Sequence, residues 1–247
     1  MYKMNIRLLC EQEIVEIYEN YMPKDFAKSE IKPLSRILEL CKLKLYFCYG
    51  VYEEKEHDKE KLIAYGFLVT SENRDAVLVD YFAVASDIRG RGYGSICFGM
   101  LCDKAKEECL GTLMLEVENP SFGVNEEDWL LRRRRIAFYI RNGMTLTHLR
   151  IFLYDVEYLV MTSDATKLLE TAEQIYGVYR VLLKPDKIAT KLKMSYNICC
   201  PDFDLEHAIP EWEGEMSEQT EQVLRQAVEE NGVAYVCEKI MEKTQIM

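Results

Sequence analysis

Residues 89–94 read RGRGYG, so Gly90, Gly92 and Gly94 alternate with Arg89, Arg91 and Tyr93, and Ser95 follows. A strand-like run, VLVDYFAV at 77–84, precedes this turn, and a helical pattern ending near Cys109 follows it. A turn in that place lets several backbone N–H groups converge where the helix dipole is positive, a geometry that cradles phosphate. Glycine lets the backbone approach an anion with no Cβ in the way. A Walker A loop would need Gly-Lys-Ser/Thr, and no Lys follows Gly94. A dinucleotide fingerprint needs a third glycine where Cys97 stands, and it should follow its strand at once, whereas residues 85–88 intervene. The plain alternative is a tight turn with no ligand.

Three carboxylates and one tyrosine are candidates for proton transfer. Asp80 lies in the strand before the turn, where alternation predicts a common face with Phe82 and Val84. Glu116 and Glu118 share a face of LMLEVE at 113–118. A carboxylate inside an apolar strand is costly unless paired or used. Each has the alternative of a hydrogen-bonded or solvent-facing side chain, and the choice among them stays open. Tyr139, beside Phe138 on a helical pattern, reads as a core aromatic unless its hydroxyl is used. The run Arg132–Arg135 reads as a solvated face, with the alternative that one Arg meets a phosphate or supports a carboxylate.

The elements that must position these groups follow from hydrophobic periodicity. Helices are predicted over 11–22, stopped by Pro23, and over 29–42 with Ser29 as N-cap. An antiparallel meander follows at 45–52, 62–69 and 77–84, with the charged tip EEKEHDKEK at 53–61 and a turn at 71–76. After the glycine turn and its helix come a strand at 110–120, a helix at 126–142 closed by Gly143, two strands within 146–162 and a helix at 164–183 weakened by Gly177.

The chain has 247 residues, 49% hydrophobic and 30% charged, which excludes disorder throughout and permits one or two domains. Its net charge of −11 argues against nucleic acid as a partner and favours cationic ones. No run approaches a membrane span or a signal peptide. Nine cysteines, none in C-x-x-C spacing, and three histidines point to a reducing, cytoplasmic protein with no metal site. Cys199 and Cys200 read as inert thiols rather than acyl acceptors. Residues 201–221 hold eight acidic side chains and no Lys or Arg. That stretch reads as a solvated arm, with the alternative that it lines an acceptor mouth and favours a cationic substrate. The amphipathic pattern at 217–230, within 217–243, predicts a segment that docks on residues 1–183 or on a second subunit.

The segment VDYFAVASDIRGRGYGSICFGMLCDKAK at 79–106 resembles motif A of the GNAT N-acetyltransferase superfamily, whose Gln/Arg-x-x-Gly-x-Gly/Ala pattern is met by Arg89, Gly92 and Gly94. FYIRNG at 138–143 is similar to the family's second motif. The resemblance covers about residues 5–162, and DFAKSEIKP at 25–33 is similar to bacterial members whose acceptors are mostly unassigned.

The resemblance implies that the pyrophosphate of coenzyme A lies on Arg89, Gly90, Arg91, Gly92, Tyr93, Gly94 and Ser95. It implies that the pantetheine arm follows the strand at Phe82 and Val84, in a slot beside the strand at 113–118. Backbone N–H near Val84 would polarise the thioester carbonyl, Tyr139 would protonate the leaving thiolate, and Asp80 or Glu116, with Glu118 as a further competitor, would deprotonate the amine. The expected fold is α/β, a mixed, mostly antiparallel twisted sheet flanked by helices, with an acetyltransferase domain over 1–183 and an acidic, mainly helical extension over 184–247. The expected function is direct acetyl transfer from acetyl-CoA to an amine, by a monomer or homodimer without metal, nucleic acid or membrane. A non-catalytic acyl-CoA-binding sensor is the alternative.

Overall fold

The computed structural model describes residues 4–53, 60–164, 166 and 170–196. It divides into two compact units, with the boundary between Gly111 and Thr112.

The first unit contains β1 (Met4–Leu8), α1 (Glu11–Asn20), α2 (Met22–Asp25), α3 (Leu34–Lys42), β2 (Tyr46–Glu53), β3 (Lys61–Thr70), β4 (Ala76–Val84) and α4 (Tyr93–Glu107). Its strands run β1-β2-β3-β4, each antiparallel to the next. The predicted meander is β2 to β4. β1 was missed, although Met4, Ile6 and Leu8 alternate with Asn5 and Arg7 as a strand requires. The predicted second helix begins at Leu34, not Ser29. Pro33 disfavours helical backbone at Lys32, and the Lys32 N–H donates to Tyr81 Oη at 2.9 Å instead. Pro23, expected only to end the first helix, also opens the short α2.

The two faces of this sheet are covered by different helices. Phe82 stacks edge-to-face on Phe98 of α4, with ring centroids 5.4 Å apart. A Cβ on Gly66, the register partner of Phe82, would lie 2.5 Å from Leu101 of α4. On the opposite face Phe67, Tyr65 and Tyr81 form an aromatic cluster with Phe26, which follows α2. Cys48, the partner of Phe67, places its sulfur 3.8 Å from that of Cys41 on α3.

The second unit contains β5 (Thr112–Glu118), α5 (Glu126–Arg141), β6 (Thr145–Leu153), β7 (Val156–Thr162), α6 (Thr171–Leu182), α7 (Pro185–Lys191) and β8 (Leu192–Tyr196). The strand order is β5-β7-β6-β8, antiparallel throughout. α5 follows its prediction closely: the Asn125 side chain accepts from Asp128 N at 2.8 Å at one end, and Gly143 takes φ +84° just past the other. α6 begins at Thr171 rather than 164 and buries Ile175, Val178 and Tyr179 despite Gly177. β8 was missed, although Leu192 and Met194 alternate with Lys193 and are buried. Residues 54–59 of the charged tip, the thiols Cys199 and Cys200, the acidic arm at 201–221 and the helical segment at 217–243 lie outside the described residues.

Candidate anion-binding turn and flanking carboxylates

β4 ends at Val84, a single 3₁₀ turn covers Ser86–Ile88, and the chain then enters α4 through Arg89 to Gly92. Gly90 and Gly92 have φ of +79° and +86°, a conformation costly for residues with a Cβ. Apart from its chain neighbours, a Cβ added to either would meet no atom of the described residues within 4 Å. The turn is therefore shaped as the sequence predicts and opens onto free space. Gly92 is the N-cap of a 15-residue helix and supplies no side-chain cap. The first N–H groups of such a helix have no partner within it. Tyr93, Gly94 and Ser95 present those groups at the positive end of the dipole, ready for an anion.

Arg89, expected to sit at the phosphate, is tied to protein. Its Nε donates to Val84 O at 2.9 Å and its Nη2 donates to Asp25 Oδ1. Tyr65 Oη donates to the other oxygen of Asp25 at 2.8 Å. Burial, followed by the bond to Asp25, pushes the Tyr65 hydroxyl far above its usual range, so it stays protonated and donating. Arg91 is exposed. Cys97, in the second turn of α4, is fully buried, and burial lifts its thiol to about 11. It stays neutral near pH 7 and is a poor acyl relay.

Asp80 departs from its expected geometry. Phe67 pairs with Tyr81 and Leu68 with Val79, so Asp80 is an extra residue in β4, a bulge. The bulge breaks the alternation that would have placed Asp80 with Phe82 and Val84. The carboxylate instead joins the face of Tyr81 and Phe67. There it accepts from Lys32 Nζ at 2.7 Å and from Tyr46 Oη. Its side chain is 7% exposed. Lys32 Nζ also lies 5.3 Å from the centroid of the Tyr81 ring. Burial and the nearby Asp80 push the Tyr81 hydroxyl up to about 12 and the Tyr46 hydroxyl well above its usual range.

The other candidates belong to the second unit. Glu116 and Glu118 share a face of β5, as expected, and are half-buried. Tyr179 Oη, from α6, donates to Glu116. Glu118 is bridged by Arg132 and Arg135 of α5, each at 3.1 Å. This is the carboxylate-supporting alternative for the arginine run, and Arg132 also pairs with Asp128 at 3.0 Å. Arg133 stacks over Trp129 at 4.6 Å. Tyr139 is half-buried on α5, its ring edge-to-face with Phe138 at 5.1 Å between centroids. Among the described residues no three His, Cys, Asp or Glu side chains gather as a metal site would require. No helix among them is long and apolar enough to cross a membrane.

Residue-level reading missed Asp25, Lys32, Tyr46 and Tyr179, the partners that occupy Arg89, Asp80 and Glu116, and Tyr65, which donates to Asp25. Asp25 and Lys32 both fall in the segment 25–33, but long-range pairing leaves no trace in local spacing.

The region that carries this turn is similar to known proteins. The acetyltransferase (GNAT) family matches residues 12–125, so this part of the chain is similar to GNAT acetyltransferases. No curated protein sequence matches it. A putative GNAT-family acetyltransferase from Bacteroides thetaiotaomicron is 20% identical, covers 73% of this chain and 99% of its own, and superposes with a TM-score of 0.54, which shows the shared fold. A Bacillus subtilis acetyltransferase solved with CoA is 14% identical over 66% of this chain and 99% of its own, with a TM-score of 0.42. Spermidine N-acetyltransferase from Vibrio cholerae, solved with CoA and spermine, is 11% identical over 64% of this chain and 94% of its own, with a TM-score of 0.47.

Proposed function

We propose that this protein carries acetyl-CoA on the turn before α4 and passes the acetyl group directly to an amine. The observation that carries the reading is the pair of left-handed glycines, Gly90 and Gly92, with empty space where a Cβ would project, at the N-terminus of a long helix. Acetyl-CoA supplies the acyl group and a thiol leaving group. The backbone N–H groups of Tyr93, Gly94 and Ser95 hold its pyrophosphate, and Arg89, Gly90, Arg91 and Gly92 complete the cradle. The backbone at Phe82 and Val84 holds the pantetheine arm, and an N–H near Val84 stabilises the oxyanion. Tyr139 Oη gives its proton to the leaving sulfur.

The base is Glu116 or Asp80. Glu116 is half-buried and shares one oxygen with a tyrosine hydroxyl, whereas Asp80 is committed to Lys32 and Tyr46 on the face away from Phe82. The net charge of −11 favours a cationic acceptor, and residues 184–247 act as an extension of an acetyltransferase domain spanning 1–183.

A second reading, a sensor that binds acyl-CoA without transfer, is favoured by one observation: Asp80, Glu116 and Glu118 all have partners already. Thiol release from acetyl-CoA, followed across a panel of small amines, peptide N-termini and lysine peptides, separates the two. Amine-dependent release with a matching acetylated product supports transfer. Tight CoA binding with no amine-dependent release supports the sensor.

A further inference from the structure

Asp25 has no task in the reading above, yet it is among the least exposed carboxylates near the turn. We propose that Asp25 is a positioning residue for the anion cradle, acting through Arg89, with Tyr65 fixing the orientation of its carboxylate. The proposal rests on the reading of the turn as a CoA site.

The link is built from both ends. Both Asp25 oxygens are engaged, one by Arg89 Nη2 and the other by Tyr65 Oη on β3. The Asp25 side chain is 7% exposed and that of Arg89 is 50% exposed. A nearly dry carboxylate without its partners is strongly disfavoured, so the pair is firm rather than incidental. Arg89 then uses its remaining edge on Val84 O, the last carbonyl of β4. A guanidinium is planar, so two anchors at Nε and Nη2 fix its orientation. Arg89 directly precedes Gly90, so that orientation sets where the glycine turn departs from the strand.

The turn has few other supports. Gly90 and Gly92 touch nothing on their open side, and the Lys61–Asp87 pair beside them is exposed. Ile88 is the buried anchor before Arg89. On the far side, Asp25 leads directly into Phe26, which packs against Tyr81 with ring centroids 5.0 Å apart. Tyr81 Oη in turn donates to Glu30 O and accepts from Lys32 N. The segment 26–32 is thus seated on the sheet, and Asp25 is the point where that seat reaches the cradle.

A rival role for Arg89 predicts the opposite sign. If its guanidinium were itself the phosphate ligand, removing the Asp25 charge would free it, and CoA would bind as well or better. If Asp25 positions Arg89, Asp25→Asn loosens the turn and CoA binds less well.

The test is calorimetric titration of CoA into the full-length protein, its Asp25→Asn and Tyr65→Phe variants, and Glu39→Gln as a surface control. It is paired with amide hydrogen exchange over residues 86–95 without ligand. Losing a charge-assisted bond is expected to weaken CoA binding about tenfold in Asp25→Asn, and losing a neutral hydroxyl about threefold in Tyr65→Phe. Exchange over 86–92 should rise in both. KM for acetyl-CoA should rise while kcat, measured well below each variant's Tm, stays near wild type, a split that general loss of stability would not give. Unchanged or tighter binding in Asp25→Asn overturns the proposal. Should that variant fail to fold, Tyr65→Phe decides: unchanged exchange and affinity overturn it. A wild-type protein that ignores CoA defeats the functional reading and, with it, this task for Asp25. A rise in exchange would then mark the link as part of the fold alone.

Discussion

A left-handed glycine caps the start of α4 and another lies four residues past its end, and the two are opposite in kind. Gly92, at the N-terminus, has φ +86° and nothing within 4 Å of where a Cβ would stand. Gly111, four residues beyond Glu107, also has φ +86°, but its Cβ would lie 2.2 Å from the Asp75 carbonyl carbon and 2.5 Å from Ala76 N. Gly111 is glycine because the protein's own backbone passes against it. Gly92 has no such neighbour among the described residues, so packing among them does not explain it. Gly143 sharpens the contrast: it too is left-handed and open, but it follows the C-terminus of α5, where free carbonyls repel an anion. Openness and helix polarity together single out the turn at 89–95.

The largest expected effect comes from closing the open end. Gly92→Val puts a branched Cβ into the space before α4, and KM for acetyl-CoA should rise by about 100-fold or more. Gly92→Ala should give a smaller rise in the same direction. Steady-state kinetics at varied acetyl-CoA measures both, and normal KM in a folded Gly92→Val protein would make the turn structural, like Gly111.

Tyr139→Phe comes next. It should lower kcat by about 100-fold and leave CoA affinity intact, because it removes a proton donor and no anion contact. Wild-type kcat in that variant would leave Tyr139 as a partner for Phe138 and nothing more.

The crowded end should respond in stability alone. Gly111→Ala is expected to cost about 3 kcal/mol, a fall in Tm of roughly 10 °C, through overpacking and left-handed strain. CoA affinity of the folded fraction should be unchanged. A variant that melts like wild type would mean that the strand turn at Asp75 yields easily.

The smallest effect belongs to a region whose charges satisfy one another. Glu13 on α1 accepts from Cys10 N at 2.9 Å and from both terminal nitrogens of Arg7 at 2.7 and 2.9 Å. The Arg7 bond, opposed by burial and reinforced by the Cys10 N–H, holds its carboxyl at about 2 against an ordinary 4.5. The folded value is the lower one, so this stabilisation is present above about pH 4.5 and is lost as pH falls towards 2. Glu13→Gln should lower Tm slightly at neutral pH and flatten its decline across that window. An unchanged pH profile would show that the pair is a screened surface contact.

The glycine turn was legible because its chemistry is local: glycine spacing, a strand before and a helix after. The meander and α5 were legible for the same reason, since alternation and caps act over a few residues. What failed was long-range or one residue wide. A single extra residue at Asp80 reversed the face that strict alternation assigned to it, and nothing in VLVDYFAV marks the bulge. The partners of the carboxylates come from elsewhere in the chain: Lys32 and Tyr46 for Asp80, Tyr179 for Glu116. β1 and β8 were overlooked although both alternate, because five-residue runs beside polar segments carry a weak signal. Ser29 was a sound N-cap candidate, but Pro33 overruled it.

The central claim is that backbone amides at the entrance of α4 hold the diphosphate of coenzyme A. Amide chemical-shift mapping of the full-length protein during a CoA titration tests it most directly. The account predicts the largest shifts at Gly90 to Ser95, saturating together with the binding isotherm, while the amides of Gly111 and Gly143 stay still. Saturable binding that leaves Gly90 to Ser95 unmoved and shifts another segment would contradict it.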